Sequence, residues 1–195
     1  MITNILLTGV GGQGIITASK VLAEVALLAG WQVKKSEVHG MSQRGGNVES
    51  HVRIAEHGPV YSPLIPAGQA DLLVAFEALE ALRGVPMTRP NAVILVDDRE
   101  IPPLSVTAGP FTYPEKPVEL LQQTGRRVVV IPSFELARSL GEHRAANMVM
   151  LGAASRLLPF APQVWHDAIR RAVKPSTLEI NRRAFDSGFA AFESR

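Results

Sequence analysis

The stretch GVGGQGI, residues 9–15, follows the apolar residues Ile5, Leu6 and Leu7 and precedes a segment whose apolar residues have helical spacing. Its first, third and sixth residues are the glycines of the pattern G-x-G-x-x-G, in which amides at a helix start hold a phosphate. The order of strand, glycine-rich turn and helix predicts a Rossmann-like start to an α/β fold. The glycines alone do not identify a ligand, because glycines also permit close packing of a helix against a strand.

The composition is that of a globular protein. The chain has 195 residues, of which 46% are hydrophobic and 19% are charged. This length suits one domain spanning residues 1–195. The sequence contains no apolar run of about 18 residues, and its N-terminus lacks the basic region and cleavage site of a signal peptide. We therefore expect a cytoplasmic protein that does not enter a membrane.

The chain contains no cysteine. Disulfides, thiolate nucleophiles and iron–sulfur clusters held by this chain's own thiolates are therefore excluded, and redox chemistry would require a partner. The formal net charge is only +2, and aromatic residues make up 6% of the chain. Arginines occur as scattered pairs, such as those at 126–127 and 170–171, and not as a stripe with stacking aromatics, which argues against nucleic-acid binding.

The rest of the sequence predicts a single three-layer α/β/α domain with a mostly parallel, mixed sheet and a helical C-terminal part. Apolar residues recur with helical spacing from Ile15 to Ala29, and Gly30 is placed to end that helix. Residues 47–54 alternate between apolar and polar, so we expect a strand with one face in water. Further strands are predicted at 31–38, 72–76, 92–96 and 128–131, and helices at 145–158, 162–173 and 176–192.

The second strand is followed by the loop HGMSQRGG, residues 39–46, and not by a helix. A dinucleotide-binding fold needs a second crossover helix at this point, and it places an acidic residue near Glu37 to bind a ribose. The interruption therefore argues against bound NAD or FAD. A stand-alone NAD- or FAD-binding oxidoreductase and a non-catalytic binding or structural module are kept as alternative interpretations.

The loop 39–46 is a second candidate ligand site. Arg44 lies beside Gly45 and Gly46, which puts a planar, permanently charged guanidinium on backbone that a phosphate or carboxylate can approach closely. Ser42 and Gln43 add neutral hydrogen-bonding groups. The alternative is a tight loop in which Arg44 only forms a salt bridge.

Other polar residues carry weaker signals. Asn147 lies on an almost wholly apolar predicted helix, where a buried amide needs partners, so we expect it to bond to a neighbouring loop or, less readily, to a ligand. Asp97 and Asp98 end a predicted strand, where acidic residues are more often turn or cap residues than functional ones. His39 and His51 lack metal-ligand spacing, so no metal site is predicted. The sequence identifies no catalytic residue.

Four separated motifs together resemble one family. They are GVGGQGI at 9–15, GMSQRGG at 40–46 running into NVESHVRI at 47–54, ADLLVAFE at 70–77 and NMVMLGA at 147–153. In this order they resemble the gamma-type subunits of 2-oxoacid:ferredoxin oxidoreductases, and GMSQRGG is most similar to the beta subunits of the indolepyruvate enzymes. The resemblance covers nearly the whole chain except residues 101–117 and the extreme C-terminus.

The resemblance implies a subunit that is not catalytically complete alone. In the family, a larger partner carries thiamine diphosphate, magnesium and iron–sulfur clusters. The complex oxidatively decarboxylates a 2-oxo acid with coenzyme A to an acyl-CoA and passes electrons to ferredoxin. The absence of cysteine from this chain agrees with that division of labour.

The equivalent domain of the pyruvate enzymes is associated with coenzyme A binding. The resemblance therefore implies a binding surface formed by both glycine-rich loops, which we expect to face the same side of the sheet. Arg44 would position a ligand and not react with it. The candidate residues are Gly11, Gly12, Gln13, Gly14, Ser42, Gln43, Arg44, Gly45 and Gly46, with Asn147 as a further candidate.

Overall fold

The computed structural model describes residues 1–39, 46–102, 104–107, 109 and 112–193. These residues form one mixed sheet of six strands in the order β2-β3-β1-β4-β5-β6. The strands are β1 (Ile2–Val10), β2 (Gln32–His39), β3 (Asn47–Ala55), β4 (Ala70–Ala75), β5 (Thr88–Val96) and β6 (Arg127–Val130). Each of the predicted strands is confirmed, with ends that differ by a few residues.

The helices lie on both faces of this sheet. They are α1 (Ile15–Leu28), α2 (Ala78–Gly84), α3 (Leu104–Thr107), α4 (Pro117–Gln122), α5 (Ser133–Ser139), α6 (Ala146–Ser155), α7 (Pro162–Ala172) and α8 (Leu178–Glu193). The three predicted C-terminal helices are present as α6, α7 and α8. The last of them begins two residues later than predicted, because residues 175–177 form a short 3-10 turn before it. In the described part of the chain, no helix has the length and hydropathy needed to cross a bilayer.

The sheet is mostly parallel, as predicted, with one reversed strand. Strand β1 pairs in parallel with β4, and β5 and β6 continue in the same direction. Strand β3 pairs antiparallel with both β1 and β2, so it lies between them and reverses the chain. Strand β2 therefore runs in the same direction as β1. As a consequence, the carboxyl ends of every strand except β3 lie at one edge of the sheet.

Helix α1 follows from its sequence pattern and from a glycine stop. Its buried face includes Ala18, Val21 and Val25, and it packs against β3 and α7. The helix ends at a left-handed Gly30 with a φ of +76°. The Gly30 amide donates to the Leu27 carbonyl at 3.0 Å, and the Trp31 amide donates to the Ala26 carbonyl at 2.8 Å. These two bonds form a Schellman motif. The predicted helix stop is confirmed.

Helices α6 and α8 make the closest contact in the core. Helix α6 is buried on all sides, including Met148 and Met150, which pack as ordinary core residues. Glycines on the facing sides of the two helices, Gly152 and Gly188, let the backbones approach each other. A Cβ atom added at Gly152 would lie only 1.9 Å from the Phe185 carbonyl oxygen.

The expectation of a water-facing side of β3 is wrong for its central residue. His51 is only 5% exposed, and its Nδ1 accepts a hydrogen bond from the Ile65 amide at 3.2 Å. Arg53 donates to the carbonyls of Ser62 and Leu64. The proline-rich connection before β4 therefore covers this face, and its backbone polar groups satisfy the polar side chains of β3.

Candidate functional site

The loops that follow β1, β4, β5 and β6 meet at one edge of the sheet. Functional sites of α/β proteins concentrate at the carboxyl edge of parallel strands, because the loops that leave each strand converge there. In this chain the edge encloses a cavity of about 290 Å³. Its lining comes from all four loops and from the turn before α6: Val10, Gly11, Gly12, Gln13, Phe76, Asp97, Arg99, Ile101, Ser133, His143, Arg144 and Ala146.

The first glycine-rich loop, residues 11–14, forms one wall of this cavity. Gly12 has a φ of +103° and Gly14 a φ of +80°, which are backbone angles that favour glycine. A Cβ atom at Gly12 would have no protein atom within 4 Å, so this position faces open space. The loop therefore brings bare backbone to the cavity.

The side chain of Gln13 holds this loop in place. Its Oε1 accepts a hydrogen bond from the Val10 amide at 2.7 Å, and its Nε2 donates to the Phe76 carbonyl at 2.5 Å. The sequence predicts Gln13 as part of the ligand-binding lining. The structure places Gln13 at the cavity but engages both ends of its amide with the ends of β1 and β4.

The two predicted loops meet at Gly46. The Gly11 amide donates to the Gly46 carbonyl at 3.0 Å, and the Gln13 amide donates to the Val10 carbonyl at 3.2 Å. Two amides of the first loop are therefore used within the fold and not offered to a ligand. Four of the predicted site residues, Ser42, Gln43, Arg44 and Gly45, lie outside the described residues.

Asn147 contacts the first loop and does not line the cavity. Its Nδ2 donates to the Gly14 carbonyl at 3.1 Å, and a Cβ atom at Gly14 would lie 2.6 Å from that nitrogen. Asn147 is 5% exposed, and its Oδ1 has no hydrogen-bond partner among the described residues. Of the two expectations for Asn147, the geometry matches a bond to a neighbouring loop.

Asp97 supplies a buried carboxylate to the opposite wall. It is only 3% exposed. Its Oδ1 accepts the Arg99 amide at 3.2 Å, and its Oδ2 accepts the Ser133 hydroxyl. Burial raises the pKa of the Asp97 carboxyl to about 6, and the charge of Asp98 adds to this, while the hydrogen bond from Ser133 opposes it. With this pKa the carboxyl is mainly ionised at neutral pH.

Basic groups surround the cavity mouth. The Arg99 guanidinium lies 4.0 Å above the centroid of the Phe134 ring, which is a cation–π arrangement. Arg144 binds Glu142 through two nitrogens, at 2.7 and 2.9 Å. His143 also lines the cavity, so anionic groups of a ligand would meet backbone, guanidinium and imidazole groups here.

Glu77 ties Ile101 and Tyr113, two described residues of the segment 101–117, to this edge. The residue has no exposed surface. Its carboxylate accepts the Glu80 amide at 2.9 Å, the Ile101 amide at 3.0 Å and the Tyr113 hydroxyl. Burial and the bond to Glu77 raise the pKa of the Tyr113 hydroxyl. Ile101 thereby reaches the cavity, although the sequence gives this segment no assignment.

The sheet order argues against the alternative that this chain is an NAD- or FAD-binding protein. In a Rossmann fold the strand that carries the ribose-binding acid lies directly beside the first strand. Here β3 lies between β1 and β2. Glu37 on β2 is bound to Lys35 at 2.5 Å.

In the described part of the chain no group of three or more His, Asp or Glu side chains is placed to hold a metal ion.

The model of the pyruvate ferredoxin/flavodoxin oxidoreductase family matches residues 4–191. The chain belongs to this family. It is 39% identical to the indolepyruvate oxidoreductase subunit IorB of Thermococcus kodakarensis over 96% of this chain and 95% of that one. It is 40% identical to the IorB subunit of Archaeoglobus fulgidus over 95% and 93% of the two chains. Like these members of the family, it is a subunit of a 2-oxoacid:ferredoxin oxidoreductase.

Solved structures in this family share the fold. The gamma subunit of a keto/oxoacid ferredoxin oxidoreductase from Geobacter sulfurreducens has a TM-score of 0.75, at 24% identity, over 99% of both chains. A 2-oxoglutarate:ferredoxin oxidoreductase from Magnetococcus marinus, solved with 2-oxoglutarate, coenzyme A and succinyl-CoA, has a TM-score of 0.77 at 22% identity. This chain matches only 31% of that longer one, so there the same domain is fused to further sequence.

Several cavity residues were missed by the sequence analysis. Asp97 directly follows a predicted strand and was interpreted as a turn or cap residue, and Ser133 lies two residues beyond another predicted strand. The alignment of strand ends was the signal that could have joined them into one site. Arg99 lies three residues beyond the strand that Asp97 follows. For His143 and Arg144, in the turn before α6, the sequence offered no comparable signal.

Proposed function

We propose that this chain is the small, non-autonomous subunit of a cytoplasmic indolepyruvate or arylpyruvate:ferredoxin oxidoreductase. Its partner would be a larger subunit that carries thiamine diphosphate, magnesium and the iron–sulfur clusters. The complex would decarboxylate the 2-oxo acid oxidatively, transfer the acyl group to coenzyme A and pass the electrons to ferredoxin. The similarity to indolepyruvate oxidoreductase subunits along nearly the whole of both chains carries this proposal.

Within the complex, this chain would bind the anionic part of coenzyme A at the carboxyl edge of its sheet. Gly12 and the start of α1 would offer backbone amides, and Arg99 would offer a permanent positive charge. The loop of Ser42, Gln43, Arg44, Gly45 and Gly46 would form the adjoining wall, because Gly46 is bonded to Gly11. The cavity in this chain has no established catalytic group, so its role would be to bind and orient the acyl acceptor.

The test of the assignment is co-expression with a candidate large subunit from the same organism. The complex is purified through a tag on this chain and assayed for iron–sulfur absorbance and for dye reduction that depends on a 2-oxo acid. We expect a coloured complex that reduces dye faster with indolepyruvate than with pyruvate or 2-oxoglutarate. A colourless, solitary product would contradict the proposal. Flavin absorbance or tight NADH binding by the isolated chain would support the stand-alone alternative.

Arg44→Ala tests the second wall. Loss of one charge-assisted hydrogen bond costs about 1.5–3 kcal/mol, so we expect the KM for coenzyme A to rise by roughly tenfold or more with a smaller change in kcat. Arg138→Ala is the matched control, because Arg138 is exposed and pairs with Glu135 on its own helix. Unchanged parameters for both coenzyme A and the 2-oxo acid in the Arg44 variant would remove this role.

A further inference from the structure

The cavity combines groups that attract an anion with one that opposes it. Arg99 and His143 favour a phosphate, whereas Asp97, whose carboxylate is buried, lines the same space. A like charge brought near a buried carboxylate is costly, because the low local dielectric strengthens the repulsion. If Asp97 stayed ionised, it would weaken the binding that the rest of the cavity favours.

We propose that Asp97 takes up a proton when a phosphate-bearing ligand enters this cavity, so that ligand and proton are bound together. This inference rests on the proposed function, which supplies coenzyme A as that ligand. Protonation removes the repulsion and changes Asp97 from an acceptor into a hydrogen-bond donor, which phosphate oxygens can accept. The residue would thus tie the affinity for the acyl acceptor to pH.

The surroundings of Asp97 allow this exchange. Burial holds the pKa of its carboxyl at about 6, so the unliganded site is mainly ionised at neutral pH and has a proton to gain. Asp98 adds a negative charge beside it. Arg99 and the exposed His143 line the cavity. Arg144 also lines it, and its guanidinium forms an ion pair with Glu142. The Ser133 hydroxyl stabilises the ionised form of Asp97 by donating a hydrogen bond to it. When Asp97 is neutral, this hydroxyl would be free to bond to another acceptor.

Calorimetry of coenzyme A binding to the purified complex measures this proton directly. Titrations at pH 7 in two buffers with different ionisation enthalpies give the number of protons taken up. We expect about half a proton or more for the wild type, and an affinity that weakens by roughly three- to tenfold between pH 6 and 8. The 3′-phosphate of coenzyme A titrates near pH 6 as well, so the variant Asp97→Asn is needed to isolate the residue's share.

In Asp97→Asn we expect the proton uptake, and the pH dependence of coenzyme A affinity, to fall to what the 3′-phosphate of coenzyme A contributes by itself. His143→Gln is the matched control, because it changes another side chain that lines the same cavity and leaves Asp97 in place, so the uptake should persist. Equal uptake in the wild type and Asp97→Asn, or loss in His143→Gln alone, would overturn the inference and leave the proposed function intact. Absence of coenzyme A binding by the wild-type complex would overturn both.

A second variant covers the case in which Asp97→Asn fails to fold, which its melting curve would reveal. Ser133→Ala removes a hydrogen bond that favours the ionised carboxyl. The pH of maximal proton uptake should therefore move upward relative to the wild type. A maximum at the same pH in both proteins would exclude Asp97 as the group that takes up the proton.

Discussion

Glycines are required at two places in this molecule for opposite reasons. Where α6 crosses α8, a Cβ atom at Gly152 or Gly188 would lie within 1.9 Å of a backbone oxygen of the facing helix, so glycine is required for its small volume. At the carboxyl edge, Gly12 has a φ of +103° and open space where its Cβ would be, so glycine is required for its backbone angle. The first serves packing, and the second leaves bare backbone facing the cavity.

The polar groups of the two regions differ in the same way. Around the crossing of α6 and α8 the side chains are mostly apolar. The rings of Trp165 and Phe185 lie 5.5 Å apart there, tilted by 31°, and the uncharged Trp165 Nε1 is buried without a partner among the described residues. The carboxyl edge instead retains a buried carboxylate at Asp97 and a buried Asn147 oxygen without a partner among the described residues. Such groups cost stability, and proteins keep them mainly where function requires them.

Gly152→Ala should have the largest effect on stability. Because the new methyl group meets backbone and not a flexible side chain, the helices must separate, and we expect a loss of roughly 4 kcal/mol or more in the free energy of unfolding. Urea denaturation measures this loss. Gly30→Ala is the control, since Gly30 has a φ of +76° with nothing within 4 Å of a Cβ. Equal losses would show that the crossing adapts and would remove one side of the comparison.

Asp97 should give the next largest effect, as a dependence of stability on pH. Burial raises the pKa of its carboxyl from 3.8 to about 6, so between these values the folded chain holds a proton that the unfolded chain has lost. The free energy of unfolding therefore falls as the pH rises through this range. Asp97→Asn stays neutral, so its stability relative to the wild type should rise by roughly 2 kcal/mol from pH 4 to pH 7.

Urea denaturation of both proteins across this pH range checks that prediction. Asp186→Asn is a suitable control, because Asp186 is an exposed residue of α8 that pairs with His166 of α7 and does not line the cavity. A constant difference between Asp97→Asn and the wild type would mean that the carboxyl has no raised pKa in the folded chain. The buried carboxyl of Asp97 would then not lower the stability of the carboxyl edge, and this difference from the helix crossing would disappear.

The sequence predicted the elements of the fold better than their arrangement. Apolar runs and helical spacing located the strands and the C-terminal helices, because these signals are local. The position of β3 between β1 and β2 depends on long-range pairing, which no local pattern contains. The cover over His51 was missed for the same reason, since it comes from a proline-rich connection and not from a regular element.

The candidate site shows the same limit. Gly11 and Gly12 are candidates that the family resemblance implies, and they do line the cavity. The opposite wall was missed, because Asp97 and Ser133 are far apart in sequence and are joined only by the alignment of parallel strand ends. Gln13 was predicted as part of the lining and does lie at the cavity, but the sequence does not reveal that both ends of its amide bond to the backbone.

Gly12→Ala should have the smallest effect on stability and sharpens the comparison most. A residue with a side chain at such a φ costs about 1 kcal/mol, and the same cost is expected for Gly58→Ala, since Gly58 has a φ of +83° and is equally open. The two variants should therefore unfold at similar urea concentrations. Only Gly12 borders the cavity, so only its methyl group displaces the ligand.

We accordingly expect the KM for coenzyme A to rise roughly tenfold in the Gly12→Ala complex and to stay at the wild-type value in the Gly58→Ala complex. Steady-state kinetics with saturating 2-oxo acid separate the two. Matched stability with different KM values would assign the open space beside Gly12 to the ligand. Matched KM values would mean that Gly12, like Gly58, only makes a turn, and the contrast with the helix crossing would then be one of backbone geometry alone.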